Sequence, residues 1–376
     1  MRLLHITRDF PPLGKGGLSS AVFGLATALS EAGHRVEVLS ADGFRPRKHR
    51  PMIVREERLG SLRVVRLEGH DLEACADALG ARFEPDLIHV HHGTLWPLAR
   101  ALAAGRALPR VLSVHVLQRH QNRLRGFEGP TTSLAAQRRA VAEAERVVVS
   151  SQSALSQLAH DEPEHAGRLR LCPLGIEPRP LTRWQQRPLP EAPVVSVTRF
   201  DELKGTGELI EWIGRVGGQR PELRFMILGG VADNPRAEAR WRRRFDALPD
   251  PLRARVELAG WVSADSVAAQ LSQARLLVSA SRYESFGLAV LEAMAHGLPI
   301  VATAAGGVAE LLEHGQSGLL SPVGDPAALA QAALGLLGDD RRAQRLGLAA
   351  RRRAREHYSW SRVLPALLGV YGQLLY

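Results

Sequence analysis

Leu3-Leu4-His5-Ile6-Thr7, followed by Asp9-Phe10-Pro11-Pro12-Leu13-Gly14-Lys15-Gly16-Gly17-Leu18-Ser19, is the stretch that decides how this chain folds. A short, nearly continuous apolar run reads as a strand buried on both faces. The glycine-rich loop leads into a helix over Ser19 to Ala32, closed by Gly33, and a second strand follows at Val36 to Ser40. Strand, glycine loop, helix and strand in that order form the repeating unit of a parallel sheet.

Further strands are expected at Arg63 to Leu67, Leu87 to His91, Val111 to Val114 and Arg146 to Ser150, with helices at Asp71 to Ala81, Leu95 to Ala104 and Leu134 to Glu145. A second set starts at Val194 to Thr198 and continues through Arg224 to Leu228, Val256 to Leu258, Leu276 to Ser279 and Ile300 to Ala302. Between the sets, Pro173 to Pro193 is proline-dense and aperiodic, as a linker would be. The last helix, Ser359 to Leu375, has no following strand to reach and is expected to return to the first domain. The fold class is therefore α/β with two Rossmann-like domains, one over 1–175 plus 360–376 and one over 176–359. Their strand carboxyl ends, the usual ligand-binding edges, are expected to face across a cleft.

A chain of 376 residues, 45% hydrophobic, is long enough for two cores. It has no apolar run of membrane-spanning length, and Met1 to Arg8 is too short and charge-interrupted for a signal peptide, so the expected location is cytoplasmic. Cys75 and Cys172 lack metal-like spacing and read as small buried hydrophobes. The net charge of +10 admits phosphorylated ligands, nucleic acid or anionic lipid. Basic runs at Arg45 to Arg50, Arg236 to Arg244 and Arg341 to Arg355 lack the interleaved aromatics of a nucleic-acid platform, so no nucleic-acid partner is expected. Arg45 to Arg50 is the candidate for peripheral contact with the inner membrane. Lysine occurs only as Lys15, Lys48 and Lys204, and two of these fall in glycine-rich loops of the kind that hold phosphates.

The sharpest functional signal is Arg282-Tyr283-Glu284-Ser285-Phe286-Gly287-Leu288-Ala289-Val290-Leu291-Glu292-Ala293-Met294-Ala295-His296-Gly297-Leu298-Pro299. Ser285 reads as an N-cap, Gly287 to Ala295 as helix and Gly297 as its stop. Glu284 then precedes the helix and Glu292 lies in its second turn, with unpaired amides between them as an anion seat. Two hydroxyl-binding carboxylates around a phosphate seat suit a nucleotide-sugar. Val197-Thr198-Arg199-Phe200-Asp201-Glu202-Leu203-Lys204-Gly205 offers a guanidinium fork and a point charge to one diphosphate. Thr303 to Glu310, with Gly306-Gly307, reads as another glycine-rich helix start. His115 ends a strand ahead of the basic loop Arg119, His120, Arg123, Arg125. His89, His91 and His92 look like a metal set only superficially: neighbours along a strand point to opposite faces, and no acid or thiol completes them.

Taken together, these marks resemble the retaining glycosyltransferases of the GT-B fold, family 4. The resemblance covers nearly the whole chain and includes Gly260 and the closing Tyr358-Ser359-Trp360-Ser361. It implies a second domain that holds a nucleotide-sugar. Arg199 and Lys204 would lie on the diphosphate, Glu292 on the ribose, Glu284 with the Phe286, Gly287 and Leu288 amides on sugar and phosphate, and Trp261 and Val262 beside the base. It implies a first domain that receives the acceptor, with Gly16 and Gly17 near the phosphates and His115 near the donor sugar. His115, Arg199, Lys204 and Glu284 form the implied catalytic set. No Asp-x-Asp occurs, in keeping with a metal-independent enzyme that needs no cofactor.

The loop after His115 departs from many relatives by lacking an early acid. Arg119 and Arg123, with Lys15, are therefore expected to bind an anionic acceptor, whether a sugar, a lipid-linked molecule or a small molecule. Lys15-Gly16-Gly17-Leu18 also echoes glycogen and starch synthases, which keeps an α-glucan-forming enzyme as an alternative. Outside the class stand an NDP-sugar epimerase of the same architecture, a silent binding module, and a nicotinamide dehydrogenase, the last disfavoured by the broken dinucleotide pattern.

Overall fold

The structure is a computed structural model describing residues 1–14, 16–41, 53–68, 76, 79, 82–127, 129–177, 179–181, 191–231 and 234–376. Lys15, Asp42, the Arg45 to Arg50 run, Cys75 and most of the helix expected over Asp71 to Ala81 lie outside the described residues, as does much of the linker. The chain divides into two compact units, Met1–Gly175 with Trp360–Tyr376, and Ile176–Ser359.

The first unit holds an eight-stranded sheet in the order β3-β4-β2-β1-β5-β6-β7-β8. Its strands are β1 Arg2–Thr7, β2 Arg35–Ser40, β3 Ile53–Leu59, β4 Leu62–Glu68, β5 Leu87–Val90, β6 Arg110–Ser113, β7 Arg146–Val149 and β8 Leu169–Leu171. All pairs are parallel except β3 with β4. Strands β3 and β8 were not expected from sequence, nor were the helices Gln118–Leu124 and Gln152–Asp161. The edge strand β3 is mostly exposed, so it carries polar residues and gives no apolar signal.

The helix Gly17–Glu31 buries Val22, Leu25 and Leu29 against this sheet, and Trp360–Leu375 joins the same core through Trp360, Leu364, Leu367 and Tyr371. Trp360 fits because both neighbouring helix and loop offer glycine. A Cβ on Gly24 would stand 2.9 Å from its ring, and one on Gly175 would stand 2.4 Å away. Cys172 lies buried in this core, where burial pushes its thiol up to about 12.

The second unit holds a six-stranded parallel sheet in the order β11-β10-β9-β12-β13-β14. These are β9 Val194–Val197, β10 Phe225–Leu228, β11 Val256–Gly260, β12 Leu276–Ser279, β13 Ile300–Thr303 and the unexpected β14 Leu319–Ser321. Among the described residues no helix is long and apolar enough to cross a membrane.

Candidate active site

In the second unit, β9 and β12 pair side by side, so the loops leaving their carboxyl ends are neighbours. The Leu203 carbonyl accepts hydrogen bonds from the Arg282 and Tyr283 amides, at 2.8 and 3.1 Å, and so ties one loop to the other. Asp201 Oδ1 accepts from the Leu203 amide at 2.7 Å and shapes the short turn Glu202–Lys204. Gly205 follows in the left-handed region (φ 63°), where a Cβ would fall 1.8 Å from the Ala280 carbonyl oxygen. This close approach brings Lys204 Nζ to 2.7 Å from Glu284 Oε2, while Ser281 donates to Glu284 Oε1 at 2.9 Å.

Arg199 rides on the same loop but pairs with Asp201, Nη2 to Oδ2 at 3.1 Å, so each of the two cations is held by a different carboxylate. The Arg199 side chain is 44% exposed, against 26% for Lys204, which leaves the guanidinium free to re-aim toward a ligand.

Ser285 is not the N-cap. The helix begins at Leu288, its capping residue is Gly287 in the left-handed region (φ 103°), and the Ser285 hydroxyl lies 2.9 Å from Tyr283 Oη. Gly306 and Gly307 serve a close backbone approach. The helix after them, Val308–Leu311, is a single turn. A Cβ on Gly306 would sit 2.2 Å from the Glu284 carbonyl oxygen, and one on Gly307 would sit 2.6 Å from Phe286 Cα. The pair therefore exists so that one backbone can lie against the other, with the Gly307 amide donating to the Glu284 carbonyl at 3.0 Å.

Glu292 lies on the helix Leu288–Ala295, and its carboxyl has no hydrogen-bond partner among the described residues. Burial pushes it up to about 7, opposed by nearby Arg179, a neighbour that sequence spacing could not supply. Gly260 ends β11 with φ 70° and accepts the Gly229 amide at 2.8 Å. Beside it, Trp261 Nε1 is buried with no partner among the described residues, and Val262 is partly exposed.

In the first unit, Gly16 (φ 88°) caps the helix that Gly17 opens, at the carboxyl end of β1. His115 lies beyond β6, where burial holds its imidazole down at about 4. Its Nε2 is 3.1 Å from His91 Nδ1, and His91 Nε2 is 2.9 Å from Nδ1 of His5. His5, which sequence reasoning passed over as a strand residue, reaches His91 because β1 and β5 are paired. Nitrogens of His5, His89 and His91 lie within 4.8 Å of one another; both nitrogens of His89 and of His91 are in hydrogen bonds, whereas His5 Nε2 has no partner among the described residues. His89 contacts Tyr371 Oη at 2.5 Å and Ser113 Oγ at 2.8 Å, and among the described residues no carboxylate or thiol joins the group. His92 faces Thr94 instead.

Arg119 and Arg123 stand against acids 43 and 38 positions on: Arg119 with Glu162 at 3.3 Å and Arg123 with Asp161 at 2.7 Å. Much of the positive charge expected of this loop is thus neutralised within the fold.

Two family models match consecutive parts of the chain, "Glycosyltransferase Family 4" over residues 15–179 and "Glycosyl transferases group 1" over residues 192–339. The chain belongs to the group 1 glycosyltransferases. It is 28% identical to a glycogen synthase of Mycobacterium tuberculosis over 99% of this chain and 94% of that protein. Among solved structures, sucrose-phosphate synthase from Thermosynechococcus elongatus superposes with a TM-score of 0.82 at 24% identity, over 100% of this chain and 99% of that one. Anabaena HepE, in complex with UDP and glucose, gives 0.75 at 20% identity over 99% of both chains. This glycosyltransferase therefore has the GT-B fold.

Proposed function

We propose that this glycosyltransferase moves a hexosyl group from a nucleotide-diphosphate sugar to a hydroxyl of a sugar or related polyol, with retention of anomeric configuration and without a metal or cofactor. The observation that carries the reading is the Lys204–Glu284 contact of 2.7 Å, with Arg199 on the same loop at the carboxyl edge of the sheet. An incoming diphosphate competes with Glu284 and Asp201 for those two cations. It takes the role of counter-ion and leaves Glu284 free to accept hydrogen bonds from the donor sugar.

Glu292, short of hydrogen-bond partners, is suited to the two ribose hydroxyls, and Trp261 to the edge of the base. Support for such a donor comes from the UDP complex of HepE. In the reaction the bond from C1 to the leaving phosphate oxygen breaks as the acceptor oxygen bonds to C1 from the same face. The acceptor's proton passes to the departing diphosphate, whose charge Arg199 and Lys204 stabilise. Neither glutamate is then a general base.

The test is calorimetry with UDP, GDP, ADP and TDP in the presence of EDTA, followed by turnover of the corresponding sugars and proton NMR of the new anomeric centre. One nucleoside diphosphate should bind and the product should keep the donor's configuration. A strict requirement for a divalent ion, or an inverted product, would sink the proposal.

A further inference from the structure

The sheet of the first unit carries a column of imidazoles on one face. His5 and His89 are register partners on β1 and β5, His91 is two residues beyond His89, and His115 is two beyond Ser113 on the neighbouring strand. The rings of His5 and His91 lie 5.2 Å apart at 15°, and those of His91 and His115 lie 5.4 Å apart at 25°. His5 is 0% and His91 1% exposed, so the lower part of the column is shut off from bulk solvent.

The chain of contacts runs His5 Nδ1 to His91 Nε2, then His91 Nδ1 to His115 Nε2. At the bottom, His5 Nε2 is buried with no partner among the described residues. At the top, His115 is partly exposed and its Nδ1 has no hydrogen-bond partner among the described residues.

A neutral imidazole has one N–H and one lone pair, so in such a chain all protons point the same way. Burial lowers the pKa of all three rings below the usual histidine value, which keeps them neutral near pH 7. If the protons pointed downward, His5 Nε2–H would be a buried donor with nothing to accept it, the rarer and costlier kind of unpaired group. Pointing upward, the unpaired atom at the bottom is only a lone pair. His91 then donates from Nδ1 to His115 Nε2, and His115 must carry its own proton on Nδ1.

We infer that His91, held in turn by His5, is a positioning residue that fixes His115 as the Nδ1–H tautomer, so that His115 meets its ligand only as a hydrogen-bond donor. The ligand chemistry that fits is an oxygen acceptor, such as a sugar hydroxyl or a phosphate oxygen. This rests on the expectation, implied by the family resemblance, that His115 lies near the donor sugar. A histidine so wired cannot take a proton from the acceptor hydroxyl, which is consistent with leaving that proton to the phosphate.

Long-range nitrogen–proton correlation spectra of 15N-histidine-labelled protein read the tautomer directly. The wild type should show His115 protonated at Nδ1 and bare at Nε2, and the reverse pattern overturns the inference whatever the kinetics. In His91→Phe, His115 loses the donor on Nε2 and should move toward the Nε2–H form, with kcat down about 10- to 100-fold and KM little changed. His91→Gln, whose amide can donate to the same nitrogen, should recover most of that loss. An unchanged tautomer and kcat in His91→Phe would overturn the wiring. If His115→Ala keeps full turnover while the wild-type spectrum shows Nδ1–H, the donor-site reading fails and the tautomer assignment stands.

Discussion

The first unit arranges neutral rings in a dry column, while the second arranges ion pairs that solvent can reach. In the column, orientation is fixed by burial and by the direction of hydrogen bonds, and no net charge is present. At the Lys204–Glu284 contact the charges are already in place but are matched to each other, so a ligand must exchange partners with them. Geometry in one unit is thus set by what has been excluded, and affinity in the other by what can be displaced.

Breaking the charged half should have the largest effect. Lys204→Ala removes the point charge proposed for the leaving diphosphate and should lower kcat about 100- to 1,000-fold, with Tm nearly unchanged because the pair is partly exposed. Steady-state kinetics with the cognate donor decides this, and a loss under tenfold would place the stabilising charge elsewhere.

Glu292→Gln should weaken donor binding about 10-fold or more, read by calorimetry, and should also change the pH dependence of stability. The folded carboxyl keeps its proton up to about 7, whereas an unfolded one releases it near 4.5. Wild-type stability therefore falls as pH rises through that window. The variant should be more stable than wild type by about 1–2 kcal/mol at pH 8 and equal to it at pH 4. Tm measured at both values would expose a carboxylate that is in fact ionised throughout.

The smallest effect tests the contrast itself. His5 and His115 are held down to about 3 and about 4, so their folded forms refuse protons that unfolded histidines accept below 6.5. Stability present above 6.5 is lost as pH falls toward 4, and the loss is concentrated in the first unit. The second unit has one comparable histidine, His296, with a smaller shift. Hydrogen exchange at pH 7.5 and 5, corrected for intrinsic rates, should show β1 and β5 loosening by several-fold before β9 and β12. Earlier loosening of the second unit would reverse the comparison.

What could be read beforehand was local. The strands β1, β2, β9 and β12 announce themselves as short apolar runs, and the Arg199 to Gly205 loop by its place between strand and helix. What could not be read depends on partners distant in the chain. Asp161 and Glu162 neutralise Arg123 and Arg119 from the end of a helix that was not read from the sequence. His5 acquires meaning only through its register with His89. The glycines at 306 and 307 read only as a glycine-rich helix start, and the backbone contact they serve appears only in their distance to Glu284 and Phe286. Ser285 misled for a related reason, since a left-handed Gly287 can open a helix without any side-chain cap.

Trp360 and Tyr371 complete the core of the first unit, yet they are made after all of the second. On the ribosome, residues 1–175 emerge with a tryptophan-sized gap beside Gly24 and Gly175 and with His89 lacking its tyrosine. The second unit has its full complement of residues by Ser359. The half that is translated first is thus the half that receives its last core residues last.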